Sequence, residues 1–182
     1  MKYISALTAV LLMWTSLLMC QPDADLNKTD QTGRKQGHWI KRYPDGRVLY
    51  DAHFRDNLPD GEFKRYDAEG TLKSVLIYSN NGTEAEATIY HSNGYPAARG
   101  KYINRKKEGL WQFFSEFTES YKVSEETYPG NLKNGKSVKY YPEGSVAEMK
   151  TFVNDPAKGE WIKSFSNGNL SMKYSLTEAR LN

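Results

Sequence analysis

The residues able to do chemistry are few and scattered. His38, His53 and His91 are the three histidines of this 182-residue chain. They stand at unrelated positions of its repeating units, so no ligand set is shared between units. HExxH, CxxC and GxSxG are absent, and no glycine pattern opens a helix as a phosphate-cradling loop would require. Carboxylates such as Asp51, Glu62, Glu84 and Glu86 fall on turns and polar strand positions, where solvation alone would put them. A paired-carboxylate hydrolase needs two acids close in space, which spacing along the chain does not give. The expectation is a protein that is not an enzyme and uses neither cofactor nor metal.

The remaining reactive side chain is the lone cysteine, Cys20. It ends a leader that carries Lys2 and then runs almost continuously apolar from Ile4 to Met19. A positive start followed by a short apolar stretch is the pattern of a secretory signal, too short and too terminal for a membrane span. Residues 1–19 are therefore read as a signal peptide. "LLMC", followed by the polar "QPDADLNKTD", resembles the lipobox of bacterial lipoproteins, in which the cysteine becomes the acylated N-terminus after cleavage. Met19 stands where that family has a small residue. The resemblance implies lipidation at Cys20 and an exported, membrane-anchored chain in the envelope of a Gram-negative-like bacterium, as an outer-membrane lipoprotein on its periplasmic or surface face. An ordinary secreted protein is the alternative. Each buried acyl CH₂ contributes roughly 0.8 kcal/mol, and more than one chain is needed for a lasting hold.

With Cys20 so used, nothing is left for disulfides, and one domain must be held by packing alone. The formal charge is only +3, including Lys2, so no strong pull toward nucleic acid follows. The basic "NRKK" at 104–107 reads as a solvated turn. Residues 20–36 are polar, lack periodicity and are expected to form a flexible tether.

What must position any functional side chain is a period. "DGEFKRYDAEG" at 60–70 shares its skeleton with "KGEWIKSFSNG" at 158–168. Glycines 37, 61, 109, 135 and 159 open successive units, with Ala85 in the one gap, at steps of 24, 24, 24, 26 and 24 residues. Fixed spacing of this kind is the signature of a repeat architecture. Nine residues after each opening position come Gly46, Gly70, Gly94, Gly144 and Gly168, behind Pro-Asp, Ala-Glu, Pro-Glu or Ser-Asn pairs; only the fourth unit, with Thr118, lacks the glycine. These are hairpin tips. "RVLYDAHFR" alternates Val48, Tyr50, Ala52 and Phe54 with Leu49, Asp51, His53 and Arg55, the pattern of a strand with one apolar face. A second reversal follows at Asp56-Asn57, Asn80-Asn81, Asn104, Gly130-Asn131 and Asn154-Asp155, residues that tolerate left-handed backbone. Each unit thus reads as strand, tight turn, strand, looser turn.

Trp39, Phe63, Trp111 and Trp161 stand two positions after the opening residue. Phe54, Tyr78, Tyr102, Tyr128 and Phe152 stand seven before the next one. In an antiparallel meander such positions line up across strands, and the first four are the candidate binding surface. This pattern resembles the MORN repeat, most closely the bacterial variant found in secreted or lipid-anchored proteins and in YwqK-type antitoxins. The resemblance covers residues 31 to about 176, with six units over 37–176 and 177–182 as a C-terminal cap or tail. It implies an all-β fold, an elongated single-layer antiparallel meander of about six tandem hairpins. It also implies a scaffold or assembly role, with a protein partner or cell-envelope glycan bound on the sheet; the alternative is an antitoxin-like or immunity protein that neutralises a cognate effector. Departures are Ala85, Ala87, Ser137 and a fourth unit whose extra residues, with Glu116, Glu119, Glu125 and Glu126, are expected to lengthen one hairpin.

Overall fold

A computed structural model describes residues 25–117 and 121–176. Its thirteen strands are β1 (Lys28–Thr29), β2 (Lys35–Arg42), β3 (Val48–Arg55), β4 (Leu58–Tyr66), β5 (Leu72–Ser79), β6 (Glu84–Tyr90), β7 (Pro96–Ile103), β8 (Lys106–Phe114), β9 (Lys122–Pro129), β10 (Gly135–Tyr140), β11 (Val146–Phe152), β12 (Ala157–Ser164) and β13 (Leu170–Leu176). They form one sheet whose spatial order is their chain order, every neighbouring pair antiparallel. The chain is all-β, a single-layer meander of tandem hairpins. The leader, Cys20, Thr118, Glu119 and the segment 177–182 lie outside the described residues. The segment read as a tether is partly folded: β1 pairs with the start of β2, and Asp30 accepts from the backbone N–H of Thr32 (2.8 Å) and Arg34 (3.0 Å) in the turn between them.

The two kinds of turn are as placed, but their tightness is the reverse of the sequence reading. At the glycine tips the N–H of Gly46 bonds the Tyr43 carbonyl (3.0 Å), and the Tyr43 N–H bonds the Arg47 carbonyl (2.8 Å). This is a type I turn completed by a left-handed glycine, with φ of 90° at Gly46, and the same bonds recur at Gly70, Gly94, Gly144 and Gly168. The other reversal has only two central residues, both left-handed: Asp56 and Asn57 (φ 53° and 70°), Asn104 and Arg105 (50° and 64°), Asn154 and Asp155 (51° and 81°). Such turns match the right-handed twist of the strands they join, and are therefore the shortest hairpin connections.

The opening glycines have a function the period alone does not reveal. Register slips within β3–β4, β7–β8 and β11–β12, between Ala52 and Phe54, Arg99 and Lys101, and Lys150 and Phe152. Gly61, Gly109 and Gly159 sit in the bulged segments with φ of 76°, 68° and 95°. A bulge of this kind needs a left-handed residue. Ala85 cannot supply one, so β5–β6 keeps continuous register from Ser74↔Ile89 to Ser79↔Glu84. Its chain reverses instead through a longer loop, with positive φ at Asn80, Asn81 and Gly82.

That loop rests on the preceding hairpin. A Cβ at Gly82 would stand 2.9 Å from Pro59 Cδ and 3.0 Å from its carbonyl oxygen, whereas one at Gly70 would meet nothing nearer than 4.0 Å. Both positions carry left-handed φ, so both substitutions strain the backbone. Gly82→Ala should nevertheless cost more than Gly70→Ala, by about 1–2 kcal/mol for the added clash. Denaturant melts of the two variants check this, and equal midpoints would count against it. The repeat frame by itself, which marks only Gly70 as a tip, gives the opposite order.

Cross-strand pairing links one residue per strand into a row on one face. It runs Trp39, Ala52, Phe63, Leu76, Ala87, Gly100. Beyond the bulge in β8 it continues as Trp111, Glu126, Ser137, Lys150, Trp161, Tyr174. Flanking rows on the same face hold Phe54, Tyr78, Tyr102 and Tyr128. No second layer covers this face among the described residues, so the core is thin. Its centre is Trp111, 0% exposed, packed with Ala87, Ala98 and Tyr128.

Candidate functional site

The aromatic face is a ladder of ring contacts. Centroids lie 6.4 Å apart for Trp39–Phe54, 6.1 Å for Phe54–Phe63 and 6.0 Å for Phe63–Tyr78, all edge-on. A second run starts at Tyr102–Trp111 (4.9 Å) and continues to Phe113 (6.4 Å). Edge-to-face pairs contribute about 0.5–1.5 kcal/mol beyond burial. Between Tyr78 and Tyr102 the ladder is broken, because Ala87 occupies the row position that holds Phe63 or Trp111 in the adjacent units.

The four aromatics singled out from sequence share this row but not one environment. Trp39, Phe63 and Trp161 are half-buried, while Trp111 is wholly enclosed and its Nε1 donates to the Lys101 carbonyl at 3.1 Å. They do not touch one another; Phe54 bridges Trp39 and Phe63, whereas Trp111 and Trp161 pack on separate ring neighbours. Trp111 belongs to the core, so the face offers only the other three as reachable rings.

Lysines two residues before an opening position fold over the rings. Lys35 Nζ lies 4.6 Å from the centroids of both Trp39 and Phe54. Lys107 Nζ lies 4.7, 5.0 and 4.8 Å from Trp111, Phe113 and Tyr128, and Lys133 covers Phe152 at 5.3 Å. Burial among these rings pushes the Lys107 pKa down. The turn opposite each of these lysines clamps it: Asn57, Asn131 and Asp155 accept from the backbone N–H of Lys35 (2.8 Å), Lys107 (2.6 Å) and Lys133 (2.7 Å).

The third unit departs from all of this at once. Thr83 replaces the covering lysine, Ala85 the bulge glycine, Ala87 the large aromatic and Arg105 the clamping Asn or Asp. Their register brings them together around a groove of about 310 Å³, lined by Leu76, Tyr78, Thr83, Ala85, Ile89, Tyr102 and Arg105. The sequence marks Tyr78, Tyr102 and Ala85 only as parts of the repeat frame and none of the lining residues as a binding site. The signal was present as four frame departures between residues 83 and 105, but only strand pairing makes them neighbours.

The lengthened fourth hairpin is present, with the Ser115 N–H bonding the Tyr121 carbonyl at 2.9 Å across a wider tip. Glu125 and Glu126, expected in that tip, instead lie within β9. Glu125 accepts from Lys122 (2.6 Å), Gln112 (2.9 Å) and Tyr140 (2.8 Å), which hold its pKa down to about 2. Burial opposes ionisation of Glu148, but Lys139 (2.9 Å) and Lys150 (3.0 Å) prevail and bring it to about 2. Both carboxyls are depressed in the folded state, so their stabilisation is complete above the ordinary carboxylate pKa and is lost as pH falls toward about 2. The melting temperature should hold from about pH 7 to 5 and fall steeply below about 4.5, with Glu125 and Glu148 each worth about 1–2 kcal/mol after solvent screening. The Glu125→Gln/Glu148→Gln double variant should flatten that limb in a thermal-melt series; an unchanged acid limb would refute the assignment.

On the opposite face His38 Nε2 meets Asp51 Oδ1 at 2.7 Å, and the rings of His38 and His53 stack at 5.0 Å. Among the described residues no group of three or more His, Cys, Asp or Glu side chains converges as a metal site would require.

No curated protein matches the chain. Similar solved structures include a crystal structure of a TarM mutant from S. aureus in complex with Fondaparinux, alpha-GlcNAc-glycerol and UDP, and a crystal structure of TarM. Each is 17% identical, with a TM-score of 0.40, covering 54% of this chain and 19% of that one. At that TM-score the likeness carries no inference about fold or function. The family model described as "MORN repeat variant" matches residues 59–80 and 133–154. The first span contains the bulge of β4 with the Gly70 tip, and the second contains the equivalent β10 and β11, so these two units match the MORN repeat variant.

Proposed function

We propose that this chain is a non-catalytic, lipid-anchored repeat module of the bacterial envelope, which presents the aromatic face of its sheet to a protein partner or an envelope glycan. The observation that carries the reading is the face of largely half-buried rings with no second layer over it among the described residues. Single-layer sheets bury each ring only against its cross-strand neighbours, and a partner laid on that face would complete the burial. The resemblance of the leader to a lipobox supports the anchor at Cys20.

Two measurements test the reading. Metabolic labelling with an alkyne fatty acid, followed by membrane fractionation, should mark the native chain and lose both label and membrane association in Cys20→Ala. For the face, binding of purified chain to envelope glycan and to detergent-solubilised envelope protein should be lost in Ile89→Arg. It should persist in Ile77→Arg, which changes a residue 47% exposed on the opposite side. Equal binding by the two variants, with equal melting temperatures, would remove the aromatic face from the function.

A further inference from the structure

The groove in the third unit has chemistry of its own. Its floor is apolar, from Leu76, Ala85 and Ile89, and its rim carries Tyr78, Tyr102 and Arg105. Neither phenol hydroxyl has a hydrogen-bond partner, and Arg105 forms no ion pair, among the described residues. Several tyrosines elsewhere on the sheet are engaged: Tyr43 donates to the Tyr66 carbonyl (3.1 Å), Tyr141 to the Ser164 carbonyl (2.9 Å) and Tyr140 to Glu125 (2.8 Å). Burial raises the Tyr78 phenol pKa and the neighbouring Arg105 charge draws it back, while burial and then Tyr78 raise that of Tyr102. Both phenols therefore stay protonated at neutral pH and are donors in the lining of the groove.

Arg105 also holds left-handed backbone (φ 64°) at the position where other units place Asn or Asp. An arginine there adds strain and forgoes the clamp those residues make. Two phenols and a guanidinium line the same small, largely apolar groove, which suits an occupant that joins an anionic group to an apolar body. The volume is at the lower end for ligand sites and suits about one large side chain. The groove opens onto the sheet face, which leaves an exit for a chain running away from it.

We propose that the groove receives the C-terminal residue of a partner polypeptide, its large apolar side chain on Leu76, Ala85 and Ile89 and its free carboxylate held by Arg105 and the hydroxyls of Tyr78 and Tyr102. The carboxylate would take charge-assisted hydrogen bonds from a guanidinium and two phenols, and such bonds are the strong ones. Thr83, at the position that holds a covering lysine in the neighbouring fourth unit, leaves the groove uncovered. This inference rests on the reading of the aromatic face as a binding surface, and specifies its ligand.

Calorimetric titration of the full chain with acetyl-Gly-Gly-Ala-Phe as free acid, with its C-terminal amide and with 3-phenylpropionate tests it. The acid should bind about tenfold or more tighter than the amide, the usual loss for one charged hydrogen-bond partner, and tighter than phenylpropionate. Arg105→Asn, a change suited to the turn's backbone, should erase the acid–amide difference without lowering the melting temperature. Ala85→Leu should fill the floor and abolish binding of all three. Equal affinity for acid and amide, no binding of either, or phenylpropionate binding as tightly as the peptide, which marks a site for a free small molecule, would each overturn the proposal. Loss of envelope binding in Ile89→Arg together with indifference to the carboxylate would overturn only this inference and leave the broader reading standing.

Discussion

Replacing Trp111 by alanine should lower the unfolding free energy by about 3–5 kcal/mol, the range for emptying a buried aromatic site, and the melting temperature by about 10 °C for a chain of this length. The indole is 0% exposed. It packs against Tyr102 at 4.9 Å and Phe113 at 6.4 Å, and is covered by Lys107 at 4.7 Å. Its loss would open the centre of a core that, among the described residues, is only one side chain deep, with no second layer to collapse into the gap. Trp161→Ala is the informative control. That ring is half-buried and, among the described rings, pairs with Tyr174 alone, at 5.8 Å. It should cost less than half as much. Thermal melts giving equal losses at the two positions would show that the core is not centred at Trp111.

Gly100→Ala should be nearly as damaging, by about 2–4 kcal/mol, although it adds a single methyl group. The added Cβ would lie 2.3, 2.4 and 2.6 Å from three atoms of the Trp111 ring. An enclosed indole has nowhere to retreat. Gly100 does not carry the left-handed backbone of the other glycines, so the cost is steric rather than conformational. The two sites should therefore couple. The Gly100→Ala/Trp111→Ala double variant should be more stable than the sum of the single losses predicts, by more than about 1 kcal/mol. An additive result in denaturant unfolding would mean that the methyl group strains something other than the ring.

The fold was legible because its markers are residue types with backbone consequences. Gly46, Gly70, Gly94, Gly144 and Gly168 can be recognised as tips from composition alone, and the alternation through Val48, Tyr50, Ala52 and Phe54 gives strand and face together. The bulges were not legible: Gly61 and Gly109 read equally well as the start of a unit or as the kink inside one, and only register separates the two. The turn lengths were misjudged for a related reason. Asn and Asp announce left-handed backbone without saying how many residues share it. Glu125 and Glu126 looked like part of a long tip because the inserted residues could be placed anywhere between Phe114 and Tyr128. The groove was invisible because Thr83, Ala85, Ala87 and Arg105 are each unremarkable substitutions. Their conjunction depends on pairing that brings Tyr78, Ala85 and Tyr102 side by side across β5, β6 and β7.

Because strand order follows chain order from β1 to β13, the first and last strands lie at opposite edges of the sheet, about 58 Å apart along its width at the usual strand spacing. Tension applied through the two ends would run parallel to the interstrand hydrogen bonds and load them one row after another. Under pull such a molecule peels like a zipper instead of resisting like a clamp. An optical-trap record should show a train of small, low-force extensions in place of one rupture, with the last unit to yield being the one around Trp111.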